Sequence, residues 1–169
     1  MEIWDGYFRD GSLSGIDLIR GENIPDGLYH MVCEVLVRHV DGDYLLMQRA
    51  LEKETYPGYF EATAGGSALK GEDKLACVKR ELFEETGIEA DVFEELGCHV
   101  FDDKHSIFYT YVCVTDWDKS NIMLQKGETI AFKWLNKKEF NEFLNSDKVI
   151  ERQKRMYIDY FKENGFTIE

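Results

Sequence analysis

Proline, paired cysteines and long apolar runs are scarce or missing in this sequence. It has two prolines and four cysteines, and the cysteines form neither a CxxC pair nor a zinc-ligand spacing. No stretch of 18 apolar residues is present, and the opening residues MEIWDGYFRD contain no apolar run of the kind that a signal peptide needs. We therefore expect buried free thiols, no contact with a membrane and a cytoplasmic protein.

Basic residues are also fewer than acidic ones. The chain has 20 lysine and arginine residues against 33 aspartate and glutamate residues, which gives a net charge of −13. Such a surface repels phosphate backbones on average, and this argues against general nucleic-acid binding. An anionic small molecule would need a local cation, which carboxylates can recruit in the form of Mg²⁺.

The remaining composition is that of a folded protein. Hydrophobic residues make up 44% of the chain and aromatic residues 14%, so a packed core is expected. The length of 169 residues suits one domain over 1–169. We divide this domain into an N-terminal hairpin extension over 1–26, a core over 27–145 and a C-terminal helix over 148–164.

Short apolar segments alternate with turns and helical patterns along the chain. Residues 2–8 and 16–20 predict the strands of the N-terminal hairpin, and YHMVCEVLVRHV and YLLMQRA predict a second strand pair around the Asp41-Gly42 turn. Further strands are expected in YFEATA, EADVFEELGCHVF, SIFYTYVCVTDW and IAFKWL, and a short helix in KKEFNEFLN. Strands interrupted by helices predict an α/β or α+β fold with a mixed sheet.

The segment GGSALKGEDKLACVKRELFEETGI, over 65–88, repeats glutamate at fixed intervals on a predicted helix over 72–86. Residues three and four positions apart are neighbours on a helix, so three carboxylates share one face: Glu81, Glu84 and Glu85. We expect the adjoining apolar residues to pack on the sheet: Leu75, Val78 and Leu82. Crowded carboxylates need a cation, and Mg²⁺ or Mn²⁺ is the natural choice because these hard ions prefer carboxylate oxygen.

The same segment resembles a complete Nudix box. Gly66 is followed after five residues by Glu72, after seven more by Arg80-Glu81-Leu82, and then by Glu84-Glu85 and Gly87-Ile88. No position departs from the family's pattern. The resemblance implies an α/β/α sandwich in which the box spans 66–88. It also implies an enzyme that hydrolyses a nucleoside diphosphate linked to another group.

The resemblance also implies roles for individual residues. The expected metal ligands are Glu81, Glu84, Glu85 and Glu128, the last of them in the segment KGETIAFKW. Either Glu81 or Glu128 is the expected general base, and Arg80 and Glu72 are expected to steady the loop. The catalytic set is therefore Glu81, Glu84, Arg80 and Glu128. In the implied mechanism, divalent ions neutralise the diphosphate and activate a water molecule for in-line attack on phosphorus.

The stretch GLYHMVCEVLVRHVDGDYLLMQRALEKETYPGYFEATAGG resembles the Nudix branch that is related to isopentenyl-diphosphate isomerase. An isomerase of this type needs a cysteine before the box and a metal-binding histidine two residues later, and these positions here are Gly65 and Ser67. His30 lies where the isomerase has another metal histidine. The missing side chains favour hydrolysis, and isomerisation of a prenyl diphosphate is the enzymatic alternative.

Substrate recognition has weaker signals in the sequence. The expected substrate-binding residues are Arg49, Lys53, Gly65 and Gly66, because cations bind phosphate and glycines allow a close backbone approach. Tyr56 and Tyr59 are candidates for stacking on a base. The closing helix has an apolar side, with Ile150, Tyr157, Tyr160 and Phe161, that either caps the domain or forms the seam of a homodimer.

The sequence thus predicts a Mg²⁺-dependent pyrophosphohydrolase that acts on a small diphosphate or nucleotide. Besides the isomerase, the alternative is a non-catalytic module that binds a nucleotide and releases it unchanged. The intact set of box glutamates argues against this module, because binding alone does not require all of them.

Overall fold

The computed structural model describes residues 1–169 and contains nine strands and four α-helices. The strands are β1 (Ile3–Tyr7), β2 (Leu13–Ile19), β3 (His30–His39), β4 (Tyr44–Arg49), β5 (Phe60–Glu61), β6 (Thr63–Ser67), β7 (Glu94–Phe101), β8 (Ser106–Thr115) and β9 (Thr129–Leu135). The helices are α1 (Lys74–Thr86), α2 (Lys137–Leu144), α3 (Glu151–Met156) and α4 (Ile158–Glu163). None of them has the length and apolar character that crossing a membrane requires.

Strand β3 lies at the centre of a seven-stranded mixed sheet. It pairs in parallel with β8 along its whole length and in antiparallel orientation with β6 on its other edge. Because β6 occupies that edge, β4 meets β3 only at Arg38 and Tyr44 and pairs instead with β5 and β9. The predicted pairing of the third and fourth strands is therefore confined to the vicinity of their turn.

The side chains of β3 alternate between two cores, one on each face of the sheet. Cys33 and Val35 belong to the core under α1, whereas Leu36 belongs to a second core with α2, α3 and α4. The central strand is thus buried on both faces, as its nearly continuous apolar sequence requires. The result is the predicted α/β/α sandwich.

Helix α1 is bounded by two caps that the sequence provides. The Asp73 carboxylate accepts a hydrogen bond from the Ala76 N–H at 2.8 Å, and Gly87 ends the helix with φ of 77°. The helix begins two residues later than predicted, which leaves Glu72 in the loop. The expected packing of Val78 and Leu82 is confirmed, but Leu75, in the first turn of the helix, is 45% exposed.

The predicted closing helix over 148–164 is two short helices, α3 and α4, separated at Tyr157. Tyr157 has φ of −105° and ψ of 8°, and its ring is buried. Its hydroxyl donates to the Glu34 carbonyl at 2.9 Å and accepts from the Tyr111 N–H at 3.3 Å. This anchor between two strands interrupts the helical path. Since Tyr157 and Phe161 are buried in the chain's own core, α3 and α4 cap the sheet, and homodimerisation stays a prediction.

The N-terminal hairpin, formed by β1 and β2, is docked on the loop that precedes α1. The Lys70 N–H donates to the Ile3 carbonyl at 2.9 Å, and the Gly71 N–H donates to the Asp5 carboxylate at 2.7 Å. Lys70 also forms an ion pair with Asp17 at 2.6 Å. The hairpin is therefore held in a defined position beside the box.

All four cysteines are free thiols. Cys33, Cys77 and Cys113 are buried, as the composition predicts, whereas Cys98 is exposed. The exception has a topological reason, because Cys98 lies on β7 at the edge of the sheet.

Candidate active site

The two glycines at the end of β6 make room for neighbouring atoms of the site. A Cβ atom at Gly66 would lie 2.5 Å from a carboxylate oxygen of Glu81, so any side chain would displace that glutamate. A Cβ atom at Gly65 would lie 2.3 Å from the Cys33 carbonyl oxygen. Both glycines line the cavity, and because they have no Cβ atom the strand can lie close to β3 and to α1.

Arg80 is the centre of an ion-pair network within the box. Its guanidinium donates to both oxygens of Glu72, at 2.6 and 2.9 Å, and to Glu81 at 2.7 Å and Glu84 at 3.2 Å. It also donates to the Ser67 carbonyl at 3.1 Å. These bonds, with those of Glu72 first, raise the pKa of Arg80. The arrangement ties the loop to the helix, which agrees with the role expected for Arg80 and Glu72.

The three helix carboxylates lie in different electrostatic surroundings. Burial raises the pKa of Glu81, although Arg80 opposes this shift. Burial also raises the pKa of Glu85 well above its usual value, and the negative charges of Glu61, Glu81 and Glu128 act in the same direction. The single hydrogen bond that Glu85 receives comes from the Gly65 N–H at 3.3 Å. Glu85 is thus a partly buried carboxylate with no cationic partner.

A second set of charged side chains comes from β4 and the loops around it. Arg49 pairs with Glu61, and its Nε atom donates to the Thr55 carbonyl at 2.9 Å. Lys53 pairs with Glu128. The structure therefore brings Arg49, Lys53 and Glu128 into the same site as the box, although 20 or more residues separate each of them from the box helix in the sequence.

Apart from Glu72, the charged side chains described above line one cavity of about 310 Å³, in which only two of the seventeen lining residues are hydrophobic. Such a polar lining suits a charged ligand rather than an apolar one. Every predicted site residue lines the cavity: Arg49, Lys53, Gly65, Gly66, Arg80, Glu81, Glu84, Glu85 and Glu128.

Three charged residues of the cavity escaped sequence reasoning: Glu61, Glu2 and Arg20. Glu61 is the one charged residue inside the strand segment YFEATA, and this could have signalled a special role. Glu2 and Arg20 form an exposed ion pair at 3.0 Å on the hairpin and have no distinguishing local pattern. Only the docking of the hairpin brings them to the box.

The site carboxylates do not form a preformed metal cluster. No three acidic, histidine or cysteine side chains of the chain are arranged to hold an ion. The reason is that Glu81 and Glu84 are directed to Arg80, while Glu128 is directed to Lys53. The donor set still fits a hard divalent ion, because it consists of carboxylate oxygens and includes Glu85, which has no counter-charge. The assignment of these residues as ligands stays a prediction.

The positions that an isomerase would need are occupied differently. His30 is stacked on Trp4, with ring centroids 4.4 Å apart, and its Nδ1 lies 3.1 Å from the Ser67 hydroxyl. Burial lowers the pKa of His30 to about 4. Gly65 has no room for a cysteine side chain in this backbone arrangement. These features agree with a structural role for His30.

The tyrosines considered for base stacking lie outside the cavity. Tyr56 and Tyr59 are exposed and pack against each other with ring centroids 5.4 Å apart. Neither of them is among the lining residues.

Comparison with known proteins gives a consistent assignment. The model of the NUDIX domain matches residues 28–160. An uncharacterised Nudix hydrolase of Listeria monocytogenes is 31% identical over 150 residues, which cover 89% of each chain. The uncharacterised Nudix hydrolase YfcD of Escherichia coli is 32% identical over 114 residues, which cover 66% of this chain and 62% of YfcD.

Solved structures show the same fold at low sequence identity. The protein DR0079 from Deinococcus radiodurans has a TM-score of 0.72 at 17% identity, over 92% of this chain and 99% of its own. A bifunctional NMN adenylyltransferase/ADP ribose pyrophosphatase from Francisella tularensis, complexed with AMP and a manganese ion, has a TM-score of 0.62 at 18% identity. The match covers 81% of this chain and 42% of that one. With the box intact and its residues gathered in one cavity, the chain belongs to the Nudix family and is a hydrolase that acts on pyrophosphate bonds.

Proposed function

We propose that this chain hydrolyses a small diphosphate of the nucleoside-diphosphate type and uses Mg²⁺, or alternatively Mn²⁺, as its cofactor. The observation that carries the proposal is the cavity shared by the box carboxylates and the cations Arg49 and Lys53. Carboxylates suit a divalent ion, and the cations suit phosphate oxygens. When bound, the divalent ion supplies charge that offsets the diphosphate and makes a water molecule more acidic.

The residues that would hold the ion are Glu81, Glu84, Glu85 and Glu128. Glu85 contributes most simply, because it has no cation to give up. For Glu81 and Glu128, the ion has to compete with Arg80 and Lys53. We expect this competition to make metal binding depend on the bound substrate, whose phosphate oxygens offer Lys53 another anionic partner.

Glu81 is the better supported of the two candidate bases. Burial raises the pKa of Glu81. A carboxylate with a raised pKa is a stronger base, and this favours removal of a proton from the attacking water. Arg80 and the close backbone of Gly66 restrict its orientation. Glu128 is left as a ligand and as the partner that positions Lys53.

Two comparisons are compatible with this proposal but carry less weight. The Francisella structure contains AMP and a manganese ion and shares the fold. The family membership makes a pyrophosphate bond the reacting group. A cytoplasmic location and a homodimer stay predictions from the sequence.

The test is a panel of nucleoside di- and triphosphates, nucleotide sugars and dinucleoside polyphosphates, assayed with Mg²⁺ and with a chelator. We expect Mg²⁺-dependent release of a phosphorylated product from at least one class. Glu81→Gln should lower kcat by about 10²- to 10⁴-fold. The matched control is Glu89→Gln, an exposed glutamate just after the box, which should keep wild-type kcat.

Absence of turnover across the whole panel would overturn the proposal. Isopentenyl diphosphate is included in the panel, since its rearrangement would identify the isomerase alternative. A nucleotide that binds tightly and is recovered unchanged would identify the non-catalytic alternative.

A further inference from the structure

The N-terminal hairpin contributes a cation to the mouth of the catalytic cavity. Arg20 and Glu2 line the cavity together with the box residues, although both lie before the matched family domain, which begins at residue 28. The bonds from Lys70 and Gly71 to the hairpin hold the backbone in place beside the box. The position of Arg20 is therefore a fixed feature of the site.

Arg20 differs from the other cations of the cavity in its accessibility. Its side chain is 62% exposed, whereas those of Arg80, Lys53 and Arg49 are 22%, 24% and 19% exposed. Arg80 is engaged by three carboxylates, and Arg49 by Glu61 and the Thr55 carbonyl. An exposed ion pair contributes only about 0–1 kcal/mol. Arg20 can therefore leave Glu2 at little cost.

Glu2 retains a partner when Arg20 turns away. Its Oε1 atom accepts a hydrogen bond from the Trp4 indole N–H at 2.7 Å, while Arg20 binds the other oxygen, Oε2, at 3.0 Å. The ring of Trp4 is in turn fixed by its stack on His30. Glu2 thus binds the Arg20 guanidinium in the free protein, but it keeps its hydrogen bond from Trp4 when Arg20 moves away.

We propose that Arg20 binds a second anionic group of the substrate, a phosphate monoester distal to the scissile diphosphate, and so determines substrate preference. A guanidinium can engage phosphate through two parallel hydrogen bonds, which gives both affinity and orientation. The inner part of the cavity is occupied by acidic groups that suit a metal-bound diphosphate, whereas Arg20 lies on the hairpin at its rim. The inference rests on the proposed hydrolysis and specifies the class of diphosphate.

The experiment uses pairs of compounds that differ by one phosphate monoester. These are NADP⁺ with NAD⁺, and coenzyme A with its 3′-dephospho form. Each compound is followed as a substrate or, where it is not turned over, as a competitive inhibitor of the best diphosphate in the panel. We expect wild type to prefer the phosphate-bearing member of at least one pair, and Arg20→Gln to reduce that preference by about tenfold, which corresponds to one lost charged contact.

The expected loss is in KM or the inhibition constant, with kcat maintained, because the substitution leaves the box carboxylates and their ion pairs with Arg80 intact. Arg20→Lys should recover part of the preference, since it retains the charge and loses the two-point contact. Glu2→Gln should act in the opposite direction and strengthen binding of the phosphate-bearing member, because it releases Arg20 from its ion pair.

Arg9→Gln is the matched control, because Arg9 is equally exposed and follows β1 in the same hairpin but pairs with Asp102 outside the cavity. It should leave the preference at the wild-type value. Equal affinity of wild type for both members of each pair, or an unchanged preference in Arg20→Gln, would overturn the inference. Turnover of other diphosphates in those same assays would leave the proposed hydrolysis standing, which distinguishes the two failures.

Discussion

On each face of the central sheet lies a glutamate that is at least partly withdrawn from solvent, and only one of the two has a cationic partner. Glu34, on the face covered by α3, is buried and pairs with Arg152 at 2.8 Å, and it accepts a hydrogen bond from the Thr63 hydroxyl at 3.4 Å. Glu85, on the face covered by α1, receives one backbone N–H and lies near three other carboxylates. The chain therefore supplies a positive charge for Glu34 but none for Glu85.

This difference separates a structural carboxylate from a functional one. A buried charge that the protein pairs can be retained for stability or for specificity of the fold. A partly buried carboxylate among like charges weakens the fold unless a cation binds beside it. The contrast gives Glu34 a role in holding the closing helices and Glu85 a role in binding a cation. Variants of Glu85 and of Arg152, the partner of Glu34, test it, and a variant of His30 tests a third partly buried group that has no counter-charge.

The largest effect should come from Glu85→Gln. We expect turnover to fall by at least about 10²-fold, because a neutral amide is a poorer ligand for a hard divalent ion. Steady-state kinetics over a range of Mg²⁺ concentrations checks this prediction. The comparison would fail if turnover and its Mg²⁺ dependence both stayed at wild-type values.

The same substitution should make the protein more stable when divalent ions are removed by a chelator. The folded-state pKa of Glu85 lies above its ordinary value of 4.5, so the folded state binds more protons than the unfolded state as the pH rises above that value. The stability associated with the protonated carboxyl is therefore lost as pH rises through the raised pKa. Urea unfolding across this range should show a smaller loss in Glu85→Gln than in wild type, because Glu81 keeps its raised pKa in both proteins.

The next effect concerns His30, a partly buried group that the fold keeps neutral. Burial lowers its pKa from 6.5 to about 4, so the unfolded state takes up a proton first as pH falls. Stability should fall between these two values by up to about 3 kcal/mol and then level off. His30→Gln should flatten this part of the pH profile of unfolding, at the cost of the stack on Trp4.

The control for this prediction is His39→Gln at the far end of β3, which should retain the acid-induced loss. An unchanged profile in His30→Gln would contradict the assignment of His30 as the partly buried, neutral group. A loss of the Mg²⁺ dependence of turnover in His30→Gln would contradict the structural role of His30.

The smallest effect should come from Arg152→Gln on the closing-helix face. This change leaves Glu34 buried with only the Thr63 hydroxyl as a side-chain partner. Because Arg152 is partly exposed, we expect a loss of about 2 kcal/mol in the free energy of unfolding, below the figure for a fully buried pair. Chemical denaturation measures this loss, and turnover per folded molecule should be retained.

Arg155→Gln serves as its control, since Arg155 is 79% exposed and lies 3.9 Å from its partner Glu151. Its unfolding free energy should stay within about 0.5 kcal/mol of wild type. Loss of turnover per folded molecule in Arg152→Gln would show that the two faces are not separate in function, and the comparison would break.

The parts of the site that could be predicted from the sequence are those with local causes. Helix α1 has its cap at Asp73, its stop at Gly87 and its glutamates at helical spacing within one short segment. The same periodicity predicts a buried Leu75, but this residue lies in the first turn of the helix and is 45% exposed, whereas Leu82, seven residues later on the same face, is buried. Periodicity specifies a face, and packing decides which residues at its boundary are covered.

Other parts could not be predicted because their causes are distant along the chain. Glu61 reaches the site through the pairing of β5 with β4, and Arg20 through the docking of the hairpin on Lys70 and Gly71. The break at Tyr157 depends on a hydroxyl that binds Glu34 and Tyr111. No window of neighbouring residues contains both partners of such a contact.

The sequence by itself determined the family, the box helix and the chemical character of the carboxylates, because each follows from residue type and short-range spacing. The tertiary structure alone decided which carboxylate is paired and which lacks a cation, and that the N-terminal hairpin contributes Arg20 to the cavity. These are matters of distance between segments that are far apart along the chain, and electrostatic interactions depend on that distance and on burial rather than on order in the sequence.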